Sequence, residues 1–235
     1  MKHEIISIFI SLVSSVVMIK AVIYDMDGLI IDSEPYWRKS MIKVLASVGL
    51  DLTEEQCTTT TGLRFDHVLE YWFEKYPWTH KSIIEVHEEV LAEMEHAILN
   101  EAELLPGIFE SIAMFRAKGY KLAIASSSAM RLIKACVHRL EGENIFDTVI
   151  SAEHEEYGKP HPAVFLKAAK DIHVNPLDCL VLEDSLMGVI AAKAARMQCV
   201  VVPAQENFNN PKFAIADWKL RSLLDIGSIF PAIEK

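Results

Sequence analysis

Five short apolar runs rich in β-branched residues limit this chain more than any other feature. They are Ala21–Tyr24, Lys121–Ala125, Thr148–Ser151, Leu180–Leu182 and Val200–Val202. Most are bounded by sequence with helical periodicity. A strand that is apolar on both faces needs cover on both, and alternating helices supply it. The expectation is an α/β fold with a parallel sheet between two helical layers. Helix starts can also be read. Pro106-Gly107 opens one, and Ser185 is placed to cap another over Leu186–Ala195.

The stretch from Pro35 to about Asn100 has a different character. It contains no convincing strand. Phe65–Tyr76 and Lys81–Leu99 carry apolar residues three and four apart, among them Ile84, Val90, Leu91, Met94 and Ile98. It reads as a helical insertion between the first strand and the rest of the α/β domain. The expected division is therefore residues 19–33 plus 101–235 as the core, 34–100 as a helical cap, and 1–18 as an apolar extension.

The chain's net charge is −10, and from Pro35 to Glu103 thirteen acidic residues stand against six basic ones. That excess reads as a solvated helix face. No basic patch is present for a nucleic acid, and no cationic stripe for a membrane surface. The four cysteines (Cys57, Cys136, Cys179, Cys199) lack metal-site spacing and read as buried thiols.

From Ile5 to Ile19 no residue is charged. At about 15 residues this run is short of the roughly 20 that span a bilayer. Lys2 and the small residues Ser14 and Ser15 are also found in secretory signals. An appended helix, a short anchor and a translation start assigned too early are the alternatives. Met18 leads directly into Ile-Lys-Ala-Val-Ile-Tyr-Asp, a first strand with no spacer before it. That continuity favours the early start.

The candidate chemistry lies at the ends of the strands. The first ends in Asp25-Met26-Asp27-Gly28, where a turn at glycine allows both carboxylates to face one pocket. Open α/β sheets bind ligands at this carboxyl edge. Ser126-Ser127-Ser128 follows the second strand, Gly158-Lys159-Pro160 the third and Glu183-Asp184-Ser185 the fourth. Each has an ordinary alternative: a turn or calcium loop, a serine cap, a surface lysine, an acidic helix start. Together they form a coherent phosphoryl-transfer set. Asp25 and Asp184 can hold Mg²⁺ through hard oxygen ligands. Asp25 can attack phosphorus, and Asp27 can protonate the leaving alkoxide and later deprotonate water. Ser126, Ser127 and Lys159 can bind the oxygens of the transferring group.

The stretches DMDGLIIDSEP, ASSS, GKPHPAVF and LEDSLMGVIAAKAARM resemble the haloacid dehalogenase superfamily, in its branch with an α-helical cap after the first motif. The resemblance implies a Rossmann-like core, an Asp25 nucleophile, an Asp27 acid/base, and phosphate binding at Ser126 and Lys159. It also implies Mg²⁺ at Asp25, the Asp27 carbonyl and Asp184, with Glu183 as an indirect or water-mediated partner. TGLRFDHVLEYWFEKYPW extends the similarity through the cap, toward bacterial sugar phosphatases active on 2-deoxyglucose 6-phosphate and on hexose and hexitol phosphates. Such enzymes are cytoplasmic, which strengthens the early-start reading. A monomer with a small-molecule sugar phosphate as its partner is expected, and no membrane partner for the core.

Asp27 fits an alcohol leaving group, because relatives that release halide lack an acid there. The nearest rival is a β-phosphoglucomutase, in which a histidine helps position the sugar where this chain has Trp37. That difference favours hydrolysis. Glu34, Trp37 and Arg64 are candidates for the substrate pocket, with ordinary cap packing as the alternative. A non-catalytic binding protein on the same scaffold would have no need to keep Asp25, Asp27, Lys159 and Asp184 together. The junctions near Ser33–Pro35 and Asn100–Pro106 are the expected hinges for cap closure.

Overall fold

The computed structural model describes residues 18–60, 63–142 and 144–233. The apolar run before Met18, with the alternatives raised for it, lies outside the described residues. Six parallel strands form one sheet in the order β3-β2-β1-β4-β5-β6. They are β1 (Ala21–Tyr24), β2 (Lys121–Ser126), β3 (Thr148–Ser151), β4 (Cys179–Glu183), β5 (Gln198–Val201) and β6 (Trp218–Lys219). In register, Tyr24 lies beside Ile124 on one side and Leu182 on the other.

The alternation of side chains builds two cores of different character. Val22, Tyr24, Leu122, Ile124, Leu180, Leu182 and Val200 point to one face. They pack with α5 (Ile108–Ala117), α6 (Met130–Arg139) and the C-terminal segment. Ala21, Ile23, Ala123, Ala125, Cys179, Val181, Cys199 and Val201 point to the other. There α7 (Ala163–Asp171) and α8 (Leu186–Ala194) also present small residues, such as Ala168, Ala169, Ala191 and Ala192. Small residues on both partners let helix and sheet approach closely. Burial on both faces is why these strands read as continuous apolar runs. All four cysteines are buried, free thiols.

Four helices separate β1 from α5: α1 (Glu34–Ala46), α2 (Glu54–Thr58), α3 (Phe65–Lys75) and α4 (Ile83–Asn100). The chain leaves and re-enters the core side by side. The Asp32 N–H donates to the Glu103 carbonyl at 2.9 Å, and the Leu105 N–H to the Ile30 carbonyl at 2.9 Å. Capping boxes start α2 at Thr53 with Gln56 and α4 at Ser82 with Glu85.

The structure corrects one position. Ile84, expected on the apolar face of α4, is 75% exposed, whereas Val86, Val90, Leu91, Met94 and Ile98 are buried. At about 100° per residue, Ile84 falls roughly opposite Val86. The acidic face of this helix is exposed, as expected, and it also makes ion pairs. Glu93 pairs with Lys43 and Glu89 with Lys81, while Glu88 and Glu95 both pair with Arg131 of α6. The two-residue β6 was not expected, being too short to leave a pattern. No helix among the described residues is long and apolar enough to cross a membrane.

Candidate active site

Because β1 lies between β2 and β4, three strand ends and the loop after β3 deliver their polar residues to one edge. Asp25 follows β1 directly and is buried, its N–H donating to the Leu182 carbonyl at 2.9 Å. Lys159 reaches it from the loop after β3. The ammonium lies 2.5 Å from Asp25 Oδ1 and 2.6 Å from Glu183 Oε1. Nζ is also 3.3 Å from the Ala125 carbonyl and stands over the Phe165 ring, 4.7 Å from its centroid. One buried cation thus bridges two buried carboxylates.

Glu183 ends β4, is fully buried, and has both oxygens engaged. Oε1 takes Lys159, while Oε2 accepts from the Asp184 N–H at 3.0 Å, the Ser185 N–H at 2.9 Å and the Ser185 hydroxyl at 2.9 Å. Ser185 in turn caps α8, its Oγ accepting from the Gly188 N–H. Two glycines make room for these acids. A Cβ on Gly188 would stand 1.7 Å from Glu183 Oε1. A Cβ on Gly28, which has φ of +73°, would stand 2.2 Å from Asp184 Oδ2.

Ligand oxygens of Asp25, Glu183 and Asp184 lie within 4.8 Å of one another. Among the described residues, one ammonium, that of Lys159, pairs with this set of three carboxylates. Burial pushes the Asp25 carboxyl up to about 7, opposed by Lys159 and reinforced by Glu183 and Asp27. Burial likewise pushes Asp184 well up, with Glu183 and Asp25 adding to the effect. Burial alone would lower Lys159, but the Asp25 and Glu183 carboxylates outweigh it and hold the ammonium above its ordinary value. A crowded, all-oxygen, under-neutralised set fits a hard divalent cation. Glu183 already takes four donors on its two oxygens, which leaves Asp25 and Asp184 the freer carboxylates to ligate one.

Asp27 has partners of its own, three donors on its two oxygens. The Ser33 hydroxyl donates to Oδ1 at 2.5 Å and the Trp37 indole N–H to Oδ1 at 3.1 Å. The Ser128 hydroxyl donates to Oδ2 at 2.6 Å. Ser126, buried at the end of β2, accepts from the Ser128 N–H at 3.0 Å. Ser127 follows it and is half-buried.

The three residues expected at the substrate pocket are placed differently from one another. Trp37, in the first turns of α1, bonds Asp27 and packs on Phe65 with ring centroids 5.0 Å apart. Glu34 opens α1 and pairs with Arg38 at 3.3 Å. Burial, and then Asp27, push its carboxyl up, and Arg38 opposes them. Arg64 grips Asp66 through Nε and Nη2. It also donates from Nη1 to the Ala152 carbonyl at 3.2 Å and the Glu155 carbonyl at 2.6 Å. It ties the insertion to the loop carrying Lys159, with its donors directed at protein. From the sequence, Ser33 is part of a hinge, Ser128 part of a Ser-Ser-Ser run, and Gly188 has no role; nothing local marks the two serines as partners of Asp27 or the glycine as a neighbour of Glu183.

A family model described as haloacid dehalogenase-like hydrolase matches residues 22–202. Hexitol phosphatase B of Escherichia coli K12 is 42% identical over 209 residues, which cover 88% of this chain and 94% of that protein. The crystal structure of CbbY from Rhodobacter sphaeroides in complex with phosphate superposes with a TM-score of 0.82 at 25% identity, covering 89% of this chain and 97% of that one. A β-phosphoglucomutase from Clostridium difficile gives 0.75 at 28% identity, covering 89% and 93%.

Proposed function

The chain belongs to the haloacid dehalogenase-like hydrolases, and from that premise we propose that it is a magnesium-dependent phosphatase of small sugar phosphates. Substrates of the class of 2-deoxyglucose 6-phosphate, hexose phosphates and hexitol phosphates suit this reading. The similarity to hexitol phosphatase B over most of both chains supports that class. The observation that carries the chemistry is that the two aspartates are held by different sets of partners. Asp25 lies against Lys159 beside Glu183 and Asp184, while Asp27 is bonded by Ser33, Trp37 and Ser128.

In this proposal a carboxylate oxygen of Asp25 attacks phosphorus, and the bond from phosphorus to the sugar oxygen breaks. Asp27 gives its proton to the departing alkoxide. Water then attacks the aspartyl-phosphate while Asp27 takes a proton back, and inorganic phosphate leaves. Lys159, Ser126 and Ser127 bind the non-bridging oxygens. Asp25, Asp184 and the Asp27 carbonyl would hold Mg²⁺, which when bound offsets repulsion between the Asp25 carboxylate and a phosphate dianion.

A kcat/KM panel over hexose, deoxyhexose and hexitol phosphates, with and without a chelator, tests the reading. Phosphate release that needs Mg²⁺ and disappears in Asp25→Asn is expected. Full activity in Asp25→Asn would remove Asp25 as nucleophile. β-Glucose 1-phosphate is the control for the rival class, since accumulation of glucose 6-phosphate would identify a mutase.

A further inference from the structure

In the proposed mechanism Asp27 gives up a proton and later takes one back, so it matters which of its oxygens carries it. The three groups around it are not equivalent. Ser33 and Ser128 are hydroxyls, which can donate or accept. The Trp37 indole N–H can only donate. It points at Oδ1 from 3.1 Å, and the Ser33 hydroxyl shares that oxygen at 2.5 Å. A proton on Oδ1 would have to turn toward Ser33, and the indole N–H would then donate to a protonated oxygen, a weaker acceptor than a bare one. A proton on Oδ2 meets the Ser128 hydroxyl at 2.6 Å, a partner that can turn round and accept. Ser128 is well placed for this, because the Ser151 hydroxyl bonds its carbonyl at 2.6 Å and its own N–H is bonded to Ser126 Oγ.

We propose that Trp37 is a positioning residue that assigns the transferable proton of Asp27 to Oδ2. The inference rests on the reading of Asp27 as acid/base. In the first step the Oδ2–H bond breaks as the phosphorus–alkoxide bond breaks, and the proton moves to the alkoxide oxygen. In the second step Oδ2 takes a proton from the attacking water. Trp37 touches neither substrate nor phosphorus in this role. It belongs to the inserted helices while Asp27 and Ser128 belong to the core, so the acid is correctly set only when the two parts meet.

The test exploits the leaving group. An alkyl phosphate needs a proton on its departing oxygen, whereas p-nitrophenyl phosphate releases a stable phenolate without one. Site-specific replacement of Trp37 by 3-benzothienylalanine keeps the ring bulk and exchanges N–H for sulfur. kcat/KM reports the chain's chemistry up to the first irreversible step, formation of the aspartyl-phosphate. The expected result is a loss on a hexitol phosphate at least about tenfold greater than on p-nitrophenyl phosphate, a part of the general-acid contribution of about 10²–10⁴. Trp37→Phe should show the same selective loss, and Trp37→His, which retains a ring N–H donor, should recover part of it. Should the isostere fold poorly, the Phe and His pair decides on the same ratio. Equal losses on both substrates, or none, would overturn the proposal by reducing Trp37 to packing. Asp27→Asn separates the two layers. If it also spares the ratio, the acid assignment of Asp27 itself fails. If it changes the ratio and the Trp37 variants do not, the inference alone fails.

Discussion

Replacing Gly188 with alanine sets two physical effects of opposite sign against each other. Gly188 is the third residue of α8, where alanine should favour the helix by up to about 1 kcal/mol. The added methyl, however, has nowhere to go. Its ideal position is 1.7 Å from Glu183 Oε1, 1.9 Å from Cδ and 2.3 Å from Oε2. Glu183 would have to retreat by about 1.5 Å or more to restore van der Waals contact. Retreat breaks the Lys159 bridge and strains the three donors on Oε2. Disrupting a buried, hydrogen-bonded ion pair costs about 3–5 kcal/mol. The collision therefore outweighs the helix gain, and a net destabilisation of about 2–4 kcal/mol is expected. Urea unfolding of the metal-free protein measures it. A double-mutant cycle with Glu183→Ala isolates the cause. With the obstructing carboxylate gone, Gly188→Ala should become neutral or mildly stabilising, giving a coupling of about 2 kcal/mol or more. Additive effects of the two substitutions, or a Gly188→Ala protein as stable as the parent, would refute the crowding argument.

Two other outcomes follow from the same cluster. Lys159→Met leaves Asp25 and Glu183 buried without their shared cation, so the metal-free protein should lose about 3–5 kcal/mol in urea titration. Part of that loss should be regained on adding Mg²⁺, and a variant as stable as the parent would contradict the bridge. The second outcome concerns pH. Folding raises the Asp25 carboxyl from 3.8 to about 7, so the folded chain binds this proton more tightly than the unfolded chain does. Its contribution to stability is complete below 3.8 and is lost as pH climbs through about 7. Metal-free stability should therefore decline across that window, to an extent that Asp25→Asn removes. An identical pH dependence in both proteins would assign the decline to other groups.

Five of the six strands were legible because their apolar side chains are buried on both faces, a condition that imprints itself directly on composition. The four polar clusters were legible for a related reason. Each follows a strand, and a parallel sheet sends all its carboxyl ends to one edge. What local sequence does not contain is the strand order, and adjacency in the site depends on it. Lys159 reaches Asp25 and Glu183 because β1 is between β2 and β4. The bonds to Asp27 were hidden for another reason. Serine and tryptophan declare no partner in sequence, and Ser128 is 101 residues from the carboxylate that it bonds. Ile84 failed because a single apolar residue near a helix start satisfies a loose three-or-four spacing while standing on the wrong side.

The acidic excess of the inserted helices also acquires a structural role. Arg131 of α6 pairs with Glu88 at 3.0 Å and Glu95 at 2.7 Å, and Arg139 donates to the Ile98 carbonyl at 2.8 Å. Arg64 joins the same two parts in the reverse sense, from the insertion to core carbonyls. These fastenings differ in exposure. The Arg131 pairs are about one-third exposed or more, so each contributes about 1 kcal/mol or less in water. Arg64 is 13% exposed and bonds carbonyls beside the Lys159 loop, and Trp37 bonds the proposed acid itself. The contacts near the chemistry are thus more sheltered than those on the outer helix face.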